Sequence, residues 1–407
     1  MAILQLKFKI LSKLPFIVIS IPMLLLMRIL RPLVLIRIGN LVSQRIGHLA
    51  GNTDLYLCEQ LAGINVPKCR YRDIFFMGSP ISNSQLAKMW RRRLIVWPSC
   101  ILSNLLRLNN LVPGGKVHQV GQNTQWDRDV NNLLDKFPMQ LAFTQAEEEK
   151  GESTLRSMGI PENGKYVCLI VRDSAYLSQL EPTIDWSYHS YRDSSINDCT
   201  LAVQDLVSRG YFVLRMGVIV SEPINFKSTK VIDYANSTYR SEFMDIYLGA
   251  KCTFCISTGT GFDSIASIFR RPIVFINLLP FGQISTFCKN YITITKRYYS
   301  DALKRDLSIS EIYSNDVGFL TQTDQYDLNG IKLIDNTPAE IRDAVVEMAE
   351  RLDGSWRSQK DDEDLQNKFW EMYRPFQSKL RWGKPLHGEI RSRFGASFLR
   401  NNQKFIS

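Results

Sequence analysis

The stretch CISTGTGFDSIASIFRRPIVFIN, residues 255–277, decides how this chain is read. An apolar, β-rich run ends at Ser257. A Thr-Gly-Thr-Gly turn follows, a helical pattern begins within a residue or two, and a second buried run starts after Pro272. Strand, tight turn, helix and strand make up the repeating unit of a parallel sheet. The turn also has chemistry to offer. Glycines allow a ligand close to the backbone, a new helix presents unpaired N–H groups and its positive end, and Ser and Thr hydroxyls add donors. Ser257, Thr258, Gly259, Thr260 and Gly261 therefore suit a diphosphate, as in a nucleotide-sugar. The pattern is neither G-x-x-x-x-G-K-[ST] nor G-x-G-x-x-G, which excludes a P-loop ATPase and leaves a nicotinamide enzyme without support. The competing reading is a plain strand-to-helix connection.

Working outward, the same alternation fills the second half. KYVCLIV (165–171), YFVLRMG (211–217), KVIDYA (230–235) and CTFCIS (252–257) read as strands. INDCTLAVQDLVSRG, SEFMDIYLGA and AEIRDAVVEMAERLDG (339–354) read as helices. The first half begins with LVLIRIG (33–39), a glycine loop and a helix through TDLYLCEQLAG. It continues through IFFMG, RLIVW and the stretches 129–136 and 145–158. The expected fold is α/β, with two Rossmann-like domains built on parallel sheets. The expected boundaries are a hydrophobic basic segment 1–31, an N-terminal domain 32–160, a C-terminal domain 161–356 and a basic helical tail 357–407. The 407-residue length agrees with two domains of ordinary size.

Two clusters fall at the C-terminal ends of strands in the second half, where open α/β sheets bind ligands, and a third precedes a helix. They are Arg172-Asp173, then Arg215, then His189, Arg192 and Asp193 in HSYRDSSI. Arginine so placed favours phosphate or carboxylate, although a single Arg is more often a surface ion pair. In RIGHLAGN, His48 stands in the loop after the first strand and is a candidate base for an acceptor hydroxyl. Asp127-Arg128-Asp129 has the D-x-D pattern of a divalent-metal site, but it follows polar QNTQW, and a helix start is the plainer reading. Cys252 and Cys255 lie three apart on a strand with no second Cys/His pair, so the eight cysteines read as core thiols.

The net charge of +10 invites a nucleic-acid partner until it is located. Residues 1–53 carry +7 with no acid before Asp54, residues 372–407 carry another +7, and the body between them is −4. That distribution argues against nucleic acid. Between Lys13 and Arg28 runs the uncharged stretch LPFIVISIPMLLLM. As a helix it would be ~21 Å long against a bilayer core of about 30 Å. A monotopic anchor on an anionic, cytoplasm-facing membrane surface fits best. A signal peptide, a single span with snorkelling arginines and a buried helix of the fold are the rivals.

As a set, RIGHLAGNTDLYL, FTQAEEEKGESTLRSMGIP, YVCLIVRDSAYL, HSYRDSSI, YFVLRMG, VIDYANS, CISTGTGF, FINLLPFG and LIDNTPAEIRDAV resemble a family of bacterial glycosyltransferases encoded with surface-polysaccharide and O-antigen genes. The resemblance runs from about residue 33 to 400. It implies a GT-B-like fold, with two domains facing a central cleft and the nucleotide-sugar donor held mainly by the second. It also implies donor-site roles for Arg172, Asp173, His189, Arg192, Arg215, Ser257 to Gly261 and Asn277. The chain departs from the family pattern at Asp193, where Asn is frequent, and at Gly259-Thr260, where Ser-Ser is frequent. The expected activity is metal-independent transfer of a sugar to a glycan or lipid-linked acceptor at the cytoplasmic face of the bacterial inner membrane. No cofactor is expected besides the nucleotide-sugar substrate. A non-catalytic assembly protein on the same fold, and a metal-dependent transferase using Asp127 and Asp129, are the alternatives.

Overall fold

The computed structural model describes residues 14–121, 128–180, 182–381 and 383–407. The chain forms two compact units, Met1–Asp127 with Met139–Ala142, and Arg128–Pro138 with Phe143–Ser407.

In the first unit, β1 (Leu35–Leu41) and β2 (Tyr71–Met77) pair in parallel. Single bridges at Ile38–Gln119 and Phe75–Val96 extend the pairing outward on both sides, so RLIVW contributes one bridge and no full strand. Gly39 lies inside β1, not in the turn after it. A Cβ there would stand 2.5 Å from the Phe75 ring on the neighbouring strand, so packing explains this glycine. The helix after β1 is Ile46–Leu61, starting earlier than TDLYLCEQLAG suggests and placing His48 in its first turn. The apolar N-terminal stretch is the helix Leu14–Ile29. Its Leu24 and Met27 share a core with Ile38, Phe76, Leu102 and Leu105. No helix among the described residues is long and apolar enough to cross a membrane.

The second unit is built on seven parallel strands. Along the chain they are β3 (Tyr166–Ile170), β4 (Phe212–Arg215), β5 (Val231–Ile232), β6 (Phe254–Ser257), β7 (Ile273–Leu278) and β8 (Tyr291–Thr295). A small antiparallel sheet of β9 (Arg297–Ser300), β10 (Arg305–Asp306) and β11 (Ile331–Ile334) follows, then the pair β12 (Leu380–Arg381) and β13 (Lys384–Pro385). The last strand, β14 (Arg393–Phe394), joins the main sheet. Its order is β14-β8-β7-β6-β3-β4-β5. Apart from β14, this is the doubly wound dinucleotide-fold order, and the direction of winding reverses between β3 and β6. β3, β6 and β7 are buried almost throughout, which explains why they read as unbroken apolar runs. Helices Gln145–Ser157 and Pro338–Asp353 begin in capping boxes, Thr144 with Glu147 and Thr337 with Glu340, and each box satisfies orphan N–H groups at its helix start.

Two expected boundaries differ from these units. Residues 143–160, assigned from the sequence to the first domain, pack in the second unit. Residues 357–407 form no separate tail. Helix Asp362–Gln377 buries Phe369, Tyr373 and Phe376 completely, and the last two stack edge-on to Phe281 at 5.3 and 5.2 Å. Four of the basic residues there form ion pairs, Arg391 with Glu389, Arg393 with Glu363, Arg400 with Asp362 and Lys379 with Asp316. Burying an aromatic face outweighs the polar composition that made the segment look detached.

Candidate functional site

The reversal point between β3 and β6 brings the sequence-separated clusters of the second unit together. The Arg172 N–H, just past β3, donates to Thr258 Oγ1, just past β6, at 2.8 Å. Arg172 Nε lies 3.4 Å from Asp193 Oδ1. Arg192 donates to the Gly259 carbonyl. Asp173 accepts from the Ala175 and Ser221 N–H groups at 3.0 and 2.9 Å and stands 3.7 Å from the Arg215 guanidinium. Arg215 is 1% exposed and donates to the Glu222 carbonyl at 3.0 Å. Burial lowers the Arg215 and Arg172 pKa values, and for Arg172 the neighbouring Arg192 charge pushes the same way. Burial raises the Asp193 carboxyl, against the pull of Arg172 and Lys296.

Asp173, Asp193 and Arg215 border a cavity of about 390 Å³ at the C-terminal ends of β3 and β4. Its polar lining includes Asp173, Asp193, Glu222, Asp335 and Arg215, with hydroxyls of Ser174, Ser194, Ser195 and Ser221. Most of the charge is internally matched, Asp173 by Arg215, Asp193 by Arg172 and Asp335 by Lys296 at 2.8 Å. A lining of carboxylate and hydroxyl acceptors receives hydroxyl hydrogens well and repels phosphate. An anionic group would be drawn instead toward the Arg172–Arg192 side, where like charges adjoin.

The glycine turn makes several of its own hydrogen bonds. Ser257 and Thr258 are buried and their hydroxyls are used within the protein. The Gly259 N–H donates to Ser257 Oγ at 3.0 Å and the Thr260 N–H to Asp263 Oδ2 at 2.7 Å. Asp263 thus occupies part of the helix end that the sequence reading reserved for a diphosphate. Thr260 stays half-buried and Gly261 exposed. Gly259, at φ +80°, is the glycine the turn requires, since a Cβ there would also meet Leu278 at 2.7 Å. Asn277 is a structural pin. It sits at φ +49°, exchanges two hydrogen bonds with Asn336 and donates to Ser194 Oγ at 3.2 Å. The His189 ring lies over Trp186 and beside Tyr188, with centroids 6.2 and 4.1 Å away, on the turn leading to Arg192.

Asp263, Lys296, Asn336, Glu222 and Asp335 escaped the sequence reading. Asp263 and Asn336 adjoin motifs that were noticed, in GFDS and LIDNTP. Lys296, buried beneath the Asp193 carbonyl at 2.7 Å, has no local signal.

No protein-family profile matches the chain, and no curated protein matches it. Among solved structures, a family 9 glycosyl transferase from Veillonella parvula is similar at 10% identity and TM-score 0.43, covering 78% of this chain and 96% of its own. E. coli ADP-heptose lps heptosyltransferase II gives 13% and 0.36, covering 64% and 90%. The E. coli heptosyltransferase WaaC, solved with ADP-2-deoxy-2-fluoro heptose, gives 13% and 0.27, covering 69% and 98%. These three TM-scores all lie below 0.5.

The remaining candidates lie elsewhere. In the first unit, half-buried His48 has its Nδ1 3.4 Å from Oδ1 of Asn52, one helical turn on and 1% exposed. With the proton on Nδ1, this contact turns Nε2 into the free acceptor. Asp127 lies outside the described residues. Asp129 directs both carboxylate oxygens to the Leu133 and Leu134 N–H groups at 2.8 Å, which makes it the start of a short helix and withdraws it from a metal pair. Among the described residues, no three His, Cys, Asp or Glu side chains gather as a metal-binding group. None of the eight cysteines forms a disulfide.

Proposed function

We propose that the protein is a GT-B-like glycosyltransferase that moves a sugar from a nucleotide-sugar to a membrane-linked glycan acceptor in bacterial surface-polysaccharide (O-antigen or capsule) synthesis, without a metal. One observation carries the reading. A carboxylate- and hydroxyl-lined cavity adjoins two neighbouring arginines at the winding reversal of a doubly wound sheet. The cavity takes a hydroxyl-rich ring of the donor. Arg172, Arg192 and the Gly259–Gly261 edge take the diphosphate, offsetting leaving-group charge as a metal does in other transferases. The glycosidic C1–O bond to phosphate breaks and a C1–O bond to the acceptor forms. The acceptor proton passes to a general base, for which His48 in the first unit is the candidate, and the nucleoside diphosphate leaves with the electron pair. The two α/β units and the ensemble of sequence motifs support this reading.

Nucleotide-sugars with different bases, added singly to the purified chain, test it. At least one raises the melting temperature and is consumed with a glycan acceptor. Gly259→Val, which puts a β-branched side chain at φ +80°, abolishes the shift while the protein stays folded, at a cost of about 1–3 kcal/mol. Binding without turnover would favour the non-catalytic assembly role, and no shift with any donor would end the proposal.

A further inference from the structure

The helix Leu14–Ile29 has two unlike sides, both apolar, which is why its sequence shows no amphipathic pattern. One side belongs to the protein. Ser20, Leu24 and Met27 are buried, and Ser20 Oγ donates to the Phe16 carbonyl at 2.7 Å. The opposite side is a stripe at helical spacing, with Val18, Ile21, Leu25 and Ile29 between 49% and 72% exposed and Leu33 continuing it at 73%. Arg28, the helix's one charge, does not interrupt the stripe. Its guanidinium is tied to Asn109 Oδ1 and to the Pro113 carbonyl, both at 2.9 Å.

We infer that this stripe rests in the plane of an anionic bilayer. A helix of 16 residues is ~24 Å long, and with one side fixed to the protein it can enter only to the depth of its free side. The charge around it selects the partner. Residues 1–53 hold seven basic residues and no acid, with Lys7, Lys9 and Lys13 before the helix and Arg31 just after it. Exposed leucine, isoleucine and valine beside a run of sequence rich in Lys and Arg and without an acid match acyl chains beneath anionic headgroups, although Arg37 is paired within the unit to Asp73. A face shared with a second copy of the chain would bring these positive charges together. The first unit therefore carries its membrane contact as a folded surface. Removing residues 1–31 would uncover Ile38, Phe76, Leu102 and Leu105, so a deletion confuses anchoring with stability.

The test uses full-length protein and co-flotation with vesicles of phosphatidylcholine, alone or partly replaced by phosphatidylglycerol. The wild type floats with the anionic vesicles, and less so as salt rises. Ile21→Gln with Leu25→Gln, both exposed, leaves the melting temperature unchanged and lowers the bound fraction at least about tenfold. Arg31→Gln lowers it about fivefold. Leu328→Gln, at an 85% exposed site in the other unit, changes nothing. The inference falls if the wild type does not float with anionic vesicles, if the double variant floats as well as the wild type, or if that variant converts a solution dimer to monomer. The donor-induced melting shift is independent of all these outcomes, so the catalytic proposal fails or stands separately.

Discussion

The two units use the same sheet grammar and leave different things unfinished. The second closes upon itself. Seven parallel strands bury their apolar runs, nearly every charge at the reversal point has a partner, and the C-terminal segment seals an aromatic core. The first, among its described residues, pairs two full strands, holds His48 at a half-buried helix start, and leaves a row of aliphatic side chains uncovered. A unit whose polar groups are internally matched is suited to hold a ligand in fixed geometry. A unit with an open apolar face is suited to meet a surface.

Substitutions can break that contrast. Arg215→Met should have the largest effect. It removes the buried partner of Asp173, costs about 3 kcal/mol or more in urea unfolding and abolishes donor binding. A mild loss would mean that the second unit's charges are less interdependent than their geometry shows. His48→Gln should lower turnover about hundredfold, or about 2.7 kcal/mol, with donor affinity unchanged. Asn52→Ala should reproduce part of that loss in turnover, whereas a structural role would move only stability.

Acid sharpens the comparison next. Burial, reinforced by Arg128, lowers His387 to about 3 from an ordinary 6.5, and its ring nitrogens are engaged by Thr286 and Gly282. The folded unit keeps this ring neutral while the unfolded chain takes a proton near pH 6.5. Stability is therefore full above that pH and declines as pH falls toward 3, by up to about 1.4 kcal/mol per unit. Urea unfolding at about pH 7 and about pH 5 should differ by about 2 kcal/mol, and His387→Gln should flatten the difference. His118 in the first unit, lowered chiefly by burial, contributes in the same direction. Thr337→Ala should be the smallest change, about 1 kcal/mol for a lost capping box in the second unit.

Much of the second unit was legible in the chain because its signals are local. An apolar run, a stop glycine and a capping pair each lie within a few residues, as in KYVCLIV or Thr337 with Glu340. Arg172, Asp173 and Arg215 are legible at strand ends and Arg192 in the segment before a helix. Their individual pairings are not, because the ends of β3, β4 and β6 meet only once the strand order is known. The glycine turn was recognised but misread in part. Asp263 looked like an ordinary helix-start acid, and only the folded turn shows it taking the Thr260 N–H.

The sequence by itself determined the parallel α/β grammar and the concentration of positive charge at the two ends, since periodicity and composition are properties of neighbours along the chain. Tertiary structure alone decided what those ends do. Four of the C-terminal charges pair with Asp316, Asp362, Glu363 and Glu389, while Arg28 and Arg31 stand at the end of a helix with one side buried and one side open. Both choices depend on which distant surface each segment covers, and burial of apolar area, unlike a motif, has no address in the sequence.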